Sequence, residues 1–282
     1  MKAAVVFGAS RGIGRQIALT LSENGYSVGV AAKTTQTSDK LPGSVHSVAK
    51  EIEGRGGTGL PIKCNVRSAE EIRSAISGCV ARFGRLDLAV YNPGVINWEK
   101  VADTPLKQFD LMYDVNVRGA YIMIQEILQY FLKQKSGKIL LVSPPIYSRF
   151  FKGKAPYSVS KVGATVLMHG LASELDGTGV SISSLWPATG IQSHVTEVYG
   201  VDRKLLRLPT IFADACLKIA EEKTQKLNGK ALIDEDYLRS TGVTDFTQYR
   251  CHPEHEHPRM MPRAFPSLEV TEQDAPPVFS KL

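Results

Sequence analysis

The chain has 282 residues, 43% of them hydrophobic, and a formal net charge of +6. That length suits one large α/β domain with a sizeable core. No apolar run approaches the ~18 residues of a membrane-spanning helix, and the basic residues are scattered without interleaved aromatics, which excludes a nucleic-acid footprint and leaves attraction to anionic ligands as the reading of the charge.

Residues 3–7 form a continuous apolar run, as expected of a strand buried on both faces. The strand passes straight into Gly8-Ala9-Ser10-Arg11-Gly12-Ile13-Gly14, so no signal-peptide layout is present. Gly8 permits a tight turn, Gly12 lets the backbone approach a phosphate, and Gly14 lets a helix over about 11–23 pack against the sheet. The N-terminus of that helix offers free N–H groups and positive dipole to a pyrophosphate. The second strand, 27–32, ends in Lys33, with no Asp or Glu before Asp39. An NAD-selective site usually presents an acid there. Lys33 and Arg11 instead suit a 2′-phosphate, unless their side chains simply point to solvent.

Strand and helix signals then alternate as a doubly wound fold requires. Helix 44–55 leads to strand 59–63, and helix 68–83 to strand 86–91. Two helices cover about 105–135, with Asn116 near their middle. Strand 137–143 precedes a helix at 155–175, and strand 179–185 follows it. Cys64, Cys79, Cys216 and Cys251 have no C-x-x-C spacing, so reduced thiols are expected.

The helix at 155–175 carries Tyr157 and Lys161 on one face, at i and i+4. A free phenol has a pKa of about 10. A cation about 5 Å away at an effective dielectric of about 20 favours the phenolate by roughly 3 kcal/mol, or about two pKa units. Proton transfer near neutrality then becomes feasible. Tyr-x-x-x-Lys alone is a commonplace surface spacing; the upstream glycines give it meaning.

Residues 187–209, with Gly190 and Gly200, lie at the carboxyl edge of the sheet, where ligands bind. They read as a substrate lid or an ordinary surface loop. Ile191 and Ser193 are candidates to touch the carboxamide and phosphate ends of a cofactor. Phe150, Phe151, Trp186 and Tyr199 are candidates for an apolar pocket wall or for plain core. After about residue 243, prolines break regular structure and predict an arm or disordered tail. His252, His255 and His257 resemble a metal cluster in composition only and read as part of a solvated tail, so no metal is expected. The last residues, Ser280-Lys281-Leu282, read as a peroxisomal address recognised by an import receptor.

With both motifs in hand, residues 2–235 resemble the short-chain dehydrogenase/reductase family. Residues 31–34 (Ala-Ala-Lys-Thr), 111–116 (Leu-Met-Tyr-Asp-Val-Asn), Ser143-Pro144-Pro145 and Leu185-Trp186-Pro187 look like its peroxisomal hydroxysteroid dehydrogenase-like subgroup. The resemblance implies an α/β, doubly wound (Rossmann) seven-stranded parallel sheet over residues 1–242, followed by a Pro-rich arm or tail at 243–282. It implies that Tyr157 is the acid/base and that Lys161 lowers its pKa and binds the nicotinamide ribose. Ser143 would orient the substrate oxygen, and Asn116 would hold a water in the proton relay. Gly8, Ser10, Arg11, Gly12, Ile13, Gly14, Lys33, Asn65, Asn92 and Gly94 would surround the nucleotide, with Ile191 and Ser193 at its nicotinamide end.

Several positions depart from the family pattern. Phe7 stands where the family usually has Thr, and Tyr91-Asn92-Pro93-Gly94 replaces Asn-Asn-Ala-Gly. Asn65 replaces the Asp that contacts adenine, although an amide can still hydrogen-bond there. Ser143 lies one residue further from Tyr157 than usual, and Pro144 occupies the customary spacing. The leading reading is an NADP(H)-dependent oxidoreductase acting on a carbonyl/alcohol pair of a small, lipid-like or polyketide-derived substrate. Two readings remain beside it: a nucleotide-binding protein with a regulatory or scaffold role, and an NAD-linked alcohol dehydrogenase. A homo-oligomer is left open.

Overall fold

Seven parallel strands form one twisted sheet in the order β3-β2-β1-β4-β5-β6-β9. The computed structural model describes residues 1–39 and 42–270. In chain order the first half holds β1 (Lys2–Phe7), α1 (Gly12–Glu23), β2 (Tyr26–Ala32), α2 (Val45–Gly54), β3 (Thr58–Lys63), α3 (Ala69–Phe83), β4 (Leu88–Tyr91), α4 (Leu106–Tyr113) and α5 (Gly119–Gln134). The second half holds β5 (Gly137–Leu141), α6 (Ser148–Phe151), α7 (Ala155–Glu174), β6 (Val180–Trp186), β7 (Gly190–Ile191), α8 (His194–Val198), β8 (Leu206–Arg207), α9 (Thr210–Glu221), β9 (Ala231–Ile233) and α10 (Asp234–Ser240). The sheet reverses its winding between β1 and β4, so ligands bind outside the carboxyl ends of these strands.

The continuous apolar run of β1 is divided between two cores by the two-residue period of a strand. Ala4 and Val6 pack beneath α1, α2 and α9, while Ala3, Val5 and Phe7 pack beneath α3, α5 and α7. Each fully buried Val, Leu or Phe contributes about 1.5–3 kcal/mol. Pro61 has no N–H to donate, yet it sits within β3 without loss because β3 is an edge strand.

The helices expected over 105–135 join through a wider π-helical turn at Asp114–Arg118, which contains Asn116. Such a turn displaces main-chain carbonyls from the helical ladder. The buried Tyr91 hydroxyl donates to Val115 O at 2.5 Å. Tyr91 also packs 6.3 Å from Phe7, centroid to centroid. Two of the departures from the family pattern therefore form one contact under the site.

The region after residue 243 is docked on the domain as far as Phe265. Tyr249 is buried, and Leu208 N donates to Tyr249 O at 2.7 Å. Cys251 N donates to Leu206 O at 3.3 Å, and Arg207 bridges antiparallel to Arg250. The arm thus adds to the small β7–β8 ladder of the lid, and a buried ion pair between Arg207 and Glu235 at 2.6 Å fastens that ladder to α10. His257 is buried in the arm, and burial pulls its pKa below the usual histidine value. The expectation of a solvated histidine tail fails there because the prolines break helices and strands without preventing docking. Cys64, Cys79, Cys216 and Cys251 are all free thiols. Ser280-Lys281-Leu282 lie outside the described residues.

Candidate active site

The floor of the site is the turn from β1 into α1. The N-cap of α1 is Arg11, whose side chain makes no capping bond, and the first turn holds no acid. Its N–H groups and positive dipole therefore face outward without a side-chain partner, as an anion seat requires. Gly14 is fixed by contact: a Cβ there would lie 2.2 Å from Gly8 O and 2.7 Å from Asn92 Nδ2. Asn92 Nδ2 donates to Gly8 O at 3.2 Å and pins the loop from the β4 side. Ser10 is buried within the turn and Ile13 packs on the core behind it.

Arg11 reaches across the adenosine side. Its guanidinium donates to Thr34 Oγ1 at 2.9 Å and to Gly43 O and Pro42 O at 3.3 Å each. Lys33 next to Thr34 is exposed. Asn65 Oδ1 accepts from Arg67 N at 3.2 Å, which leaves its amide N–H groups as donors for a base. A cavity of ≈ 360 Å³ opens beside Gly12, lined by Arg11, Arg15, Gly43, Ser193 and His194. Ser193 caps α8 by accepting from Thr196 N, and its Cβ lies 3.7 Å from the position of a Cβ on Gly12. Ile191 is buried in β7. The β7–α8 segment therefore rests against the glycine loop, and Trp98 and Tyr199 meet at 4.9 Å between the β4 loop and α8.

Tyr157 and Lys161 lie on the first turns of α7, both buried. Lys161 Nζ donates to Val142 O at 3.1 Å and lies 5.6 Å from the Trp186 ring. Gly94 is adjacent, since a Cβ there would sit 3.2 Å from Lys161 Nζ and 3.8 Å from Asn116 Oδ1. Asn116 is held on three sides: Oδ1 accepts from Val95 N at 2.8 Å, and Nδ2 donates to Val95 O and Ser160 Oγ at 2.9 Å. Its side chain is committed to structure, so any relay role falls to its main chain. Burial pulls Lys161 down to about 8 and pushes Tyr157 above the ordinary phenol value. In the protein alone desolvation outweighs the cation, so the expected lowering of the Tyr157 pKa is not a property of the Tyr/Lys pair by itself.

Ser143 does not join this group. It is fully buried, and Thr165 Oγ1 lies 2.9 Å from its hydroxyl and 2.7 Å from Pro144 O. Thr165 is eight residues beyond Tyr157 on α7, about 12 Å along the axis. Two residues beyond the end of β5, the Ser143 side chain points back along the helix instead of toward the phenol. Pro144 occupies the customary spacing and carries no hydroxyl. Ser148, the next serine along the chain, is exposed on α6.

The apolar wall forms from different residues than its sequence candidates. Phe150 and Trp186 belong to it, 5.8 Å apart and edge-on. Phe151 and Tyr199 are exposed, 37% and 53%. Met112, Tyr147 and Met261 complete the buried cluster around Tyr157, with Phe265 against it. Tyr147, Met261 and Phe265 had no signal in the sequence, because each is an ordinary core residue until the fold brings it there.

The glycine seat, the aligned Tyr157 and Lys161, and the cleft between them suit a nicotinamide dinucleotide. The chain belongs to the short-chain dehydrogenase family, whose model matches residues 2–199. Within that family it resembles the hydroxysteroid dehydrogenase-like protein 2 of Danio rerio, 37% identical over 89% of this chain and 61% of the relative. The Bos taurus protein of the same name is 34% identical over 96% of this chain and 69% of its own. The chain thus spans about three fifths of the Danio rerio relative's length. A solved dehydrogenase from Xanthomonas campestris, described as putative, superposes with a TM-score of 0.86 at 35% identity, covering 96% of this chain and 98% of its own. A short-chain oxidoreductase from a metagenome, solved in complex with NADP, has a TM-score of 0.67 at 26% identity over 82% of this chain and 96% of its own.

Proposed function

We propose that the protein is an NADP(H)-dependent oxidoreductase that interconverts a ketone or aldehyde and an alcohol on a lipid-like or polyketide-derived substrate. Bound on the glycine loop, the nicotinamide supplies or accepts the hydride. Tyr157 handles the proton: its hydroxyl protonates the nascent alkoxide in reduction and takes that proton back in oxidation. Lys161 holds the nicotinamide ribose with its ammonium and offsets charge on the phenolate. Met112, Phe150 and Trp186 exclude water and accept an apolar substituent. One observation carries the reading: Tyr157 and Lys161 lie buried together in an otherwise apolar cluster beside Gly94.

The cofactor choice rests on Lys33, on Arg11 bound to Thr34, and on the absence of an acid between β2 and Asp39. The burial of Ser143 favours one other reading, a nucleotide-binding protein with weak catalysis, because the usual second hydroxyl is not offered to a substrate. The experiment is turnover of a ketone panel with NADPH by the wild type and Tyr157→Phe. Turnover that falls at least about a hundredfold while nucleotide binding persists supports the enzyme. Absent turnover in the wild type, with NADPH bound, supports the alternative.

Peroxisomal import through Ser280-Lys281-Leu282 completes the proposal. Deleting these three residues should move an N-terminally tagged protein from puncta to the cytosol. A full-length fusion that is already diffuse removes this part.

A further inference from the structure

The cluster around Tyr157 draws on distant parts of the chain. Met112 comes from α4, Tyr147 and Phe150 from the segment after β5, and Met261 from the arm. Residue 261 lies well beyond the stretch that the family model matches. The arm is held at this point by hydrogen bonds, most of them to the body of the domain. Met260 N and Met261 N both donate to Ala188 O, at 2.8 and 3.1 Å, at the base of the lid. Arg259 forks onto Asp236 of α10 at 2.8 and 2.6 Å. Arg259 Nε also donates to Met261 O at 2.8 Å, and Arg149 Nη2 donates to Met260 O at 2.6 Å.

These anchors deliver apolar side chains inward. Met261 is buried in the cluster, with Tyr147 Oη donating to its Sδ at 3.1 Å. The Phe265 ring meets Tyr147 edge-on at 5.4 Å. A thioether is a weak acceptor on a flexible side chain. It can yield to an apolar group without leaving an ion or a strong hydrogen bond unmade. The ionisable groups beside the cluster face other partners: Lys161 donates to Val142 O, Asp234 accepts from Ala188 N, and the Lys154 ammonium lies 4.5 Å over the Phe150 ring.

We infer that Met261 is a specificity-determining residue and that the arm reads the hydrocarbon beside the reacting carbon. The inference rests on the assignment of Tyr157 as the acid/base. The ligand class is an uncharged ketone or secondary alcohol whose substituent at this end is compact and apolar. A carboxylate or hydrated headgroup would lose its water there against the side chains of Met112, Tyr147, Phe150 and Met261. The polar clamp of Arg259 on Asp236 keeps the arm in place while the Met261 side chain moves.

The test uses the full chain with saturating NADPH and cyclic ketones graded from cyclopentanone to 2-adamantanone. Met261→Ala should raise kcat/KM for 2-adamantanone relative to cyclopentanone at least tenfold, and Met261→Trp should lower that ratio at least tenfold. NADPH affinity should stay at the wild-type value in the Ala variant, while its melting temperature falls with the side chain removed from the buried cluster. An unchanged ratio in both variants overturns the inference. Should no ketone turn over, the Tyr157 assignment falls separately. Calorimetric affinities of the same ketones for the NADP-loaded protein then decide on Met261: the same opposite shifts uphold it, and equal ratios overturn it.

Discussion

The glycine loop and the C-terminal arm are built on opposite principles. The loop is main chain at close quarters, in which a Cβ on Gly14 would stand 2.2 Å from Gly8 O. The arm consists of long side chains held by a peripheral clamp, with Arg259 on Asp236 outside and Met261 within. The loop binds a ligand part common to many enzymes and tolerates no change of residue type. On the proposed reading the arm meets the variable part of the substrate and can exchange one apolar side chain for another. Intolerance should therefore mark the floor of the cleft, and graded selectivity its roof.

The largest effect is expected at the floor. Gly14→Ala should abolish measurable NADPH binding and lower the melting temperature, because the clash is with backbone that cannot yield. A variant that binds NADPH normally would break the contrast, and thermal melts with nucleotide titration decide it. Next comes the cofactor choice. NADPH should bind at least tenfold more tightly than NADH, about 1.4 kcal/mol. Lys33→Ser should remove much of that difference, and equal affinities in the wild type contradict the assignment.

A third effect belongs to the acid/base group. Lys161 lies near 8 and Tyr157 above its ordinary value. Carbonyl reduction should thus decline as pH rises through about 8, where the ammonium is lost, and alcohol oxidation should decline with it, because a neutral Lys161 no longer offsets charge on the phenolate. A reduction rate that climbs through this range removes the assignment of Lys161.

The seam between lid and α10 offers a smaller effect. Asp234 accepts from Ala188 N at 2.8 Å, and burial raises its carboxyl to about 7. The folded chain holds that proton more tightly than the unfolded chain does, so stability falls as pH rises from about 4 to about 7. Asp234→Asn should flatten this fall in a melting series. An identical slope would show that the carboxyl does not titrate there. Smallest of all, Ser143→Ala should change turnover less than threefold, and loss of its bond with Thr165 should destabilise by about 1 kcal/mol. A hundredfold loss of turnover would return Ser143 to the chemistry.

Much of the floor was legible in the sequence because it depends on residue type at fixed spacing. A strand, three glycines and a helix leave few other arrangements, and Tyr157 and Lys161 share a face by helical period alone. The orientation of Ser143 toward Thr165 was not legible because spacing does not say where a side chain points two residues beyond a strand. The arm was illegible for a different reason. Met261 and Phe265 follow no period, and their partners Tyr147 and Ala188 lie more than 70 residues away. Prolines mark the end of regular structure in both a docked arm and a free one.

The most direct measurement supplies NADPH deuterated at the nicotinamide C4 to a panel of apolar ketones and follows the label by mass spectrometry. The account predicts deuterium on the carbinol carbon of at least one product with the wild type, and its loss with Tyr157→Phe despite bound nucleotide. Labelled product undiminished in Tyr157→Phe, or none from any ketone with NADPH bound to the wild type, would contradict it.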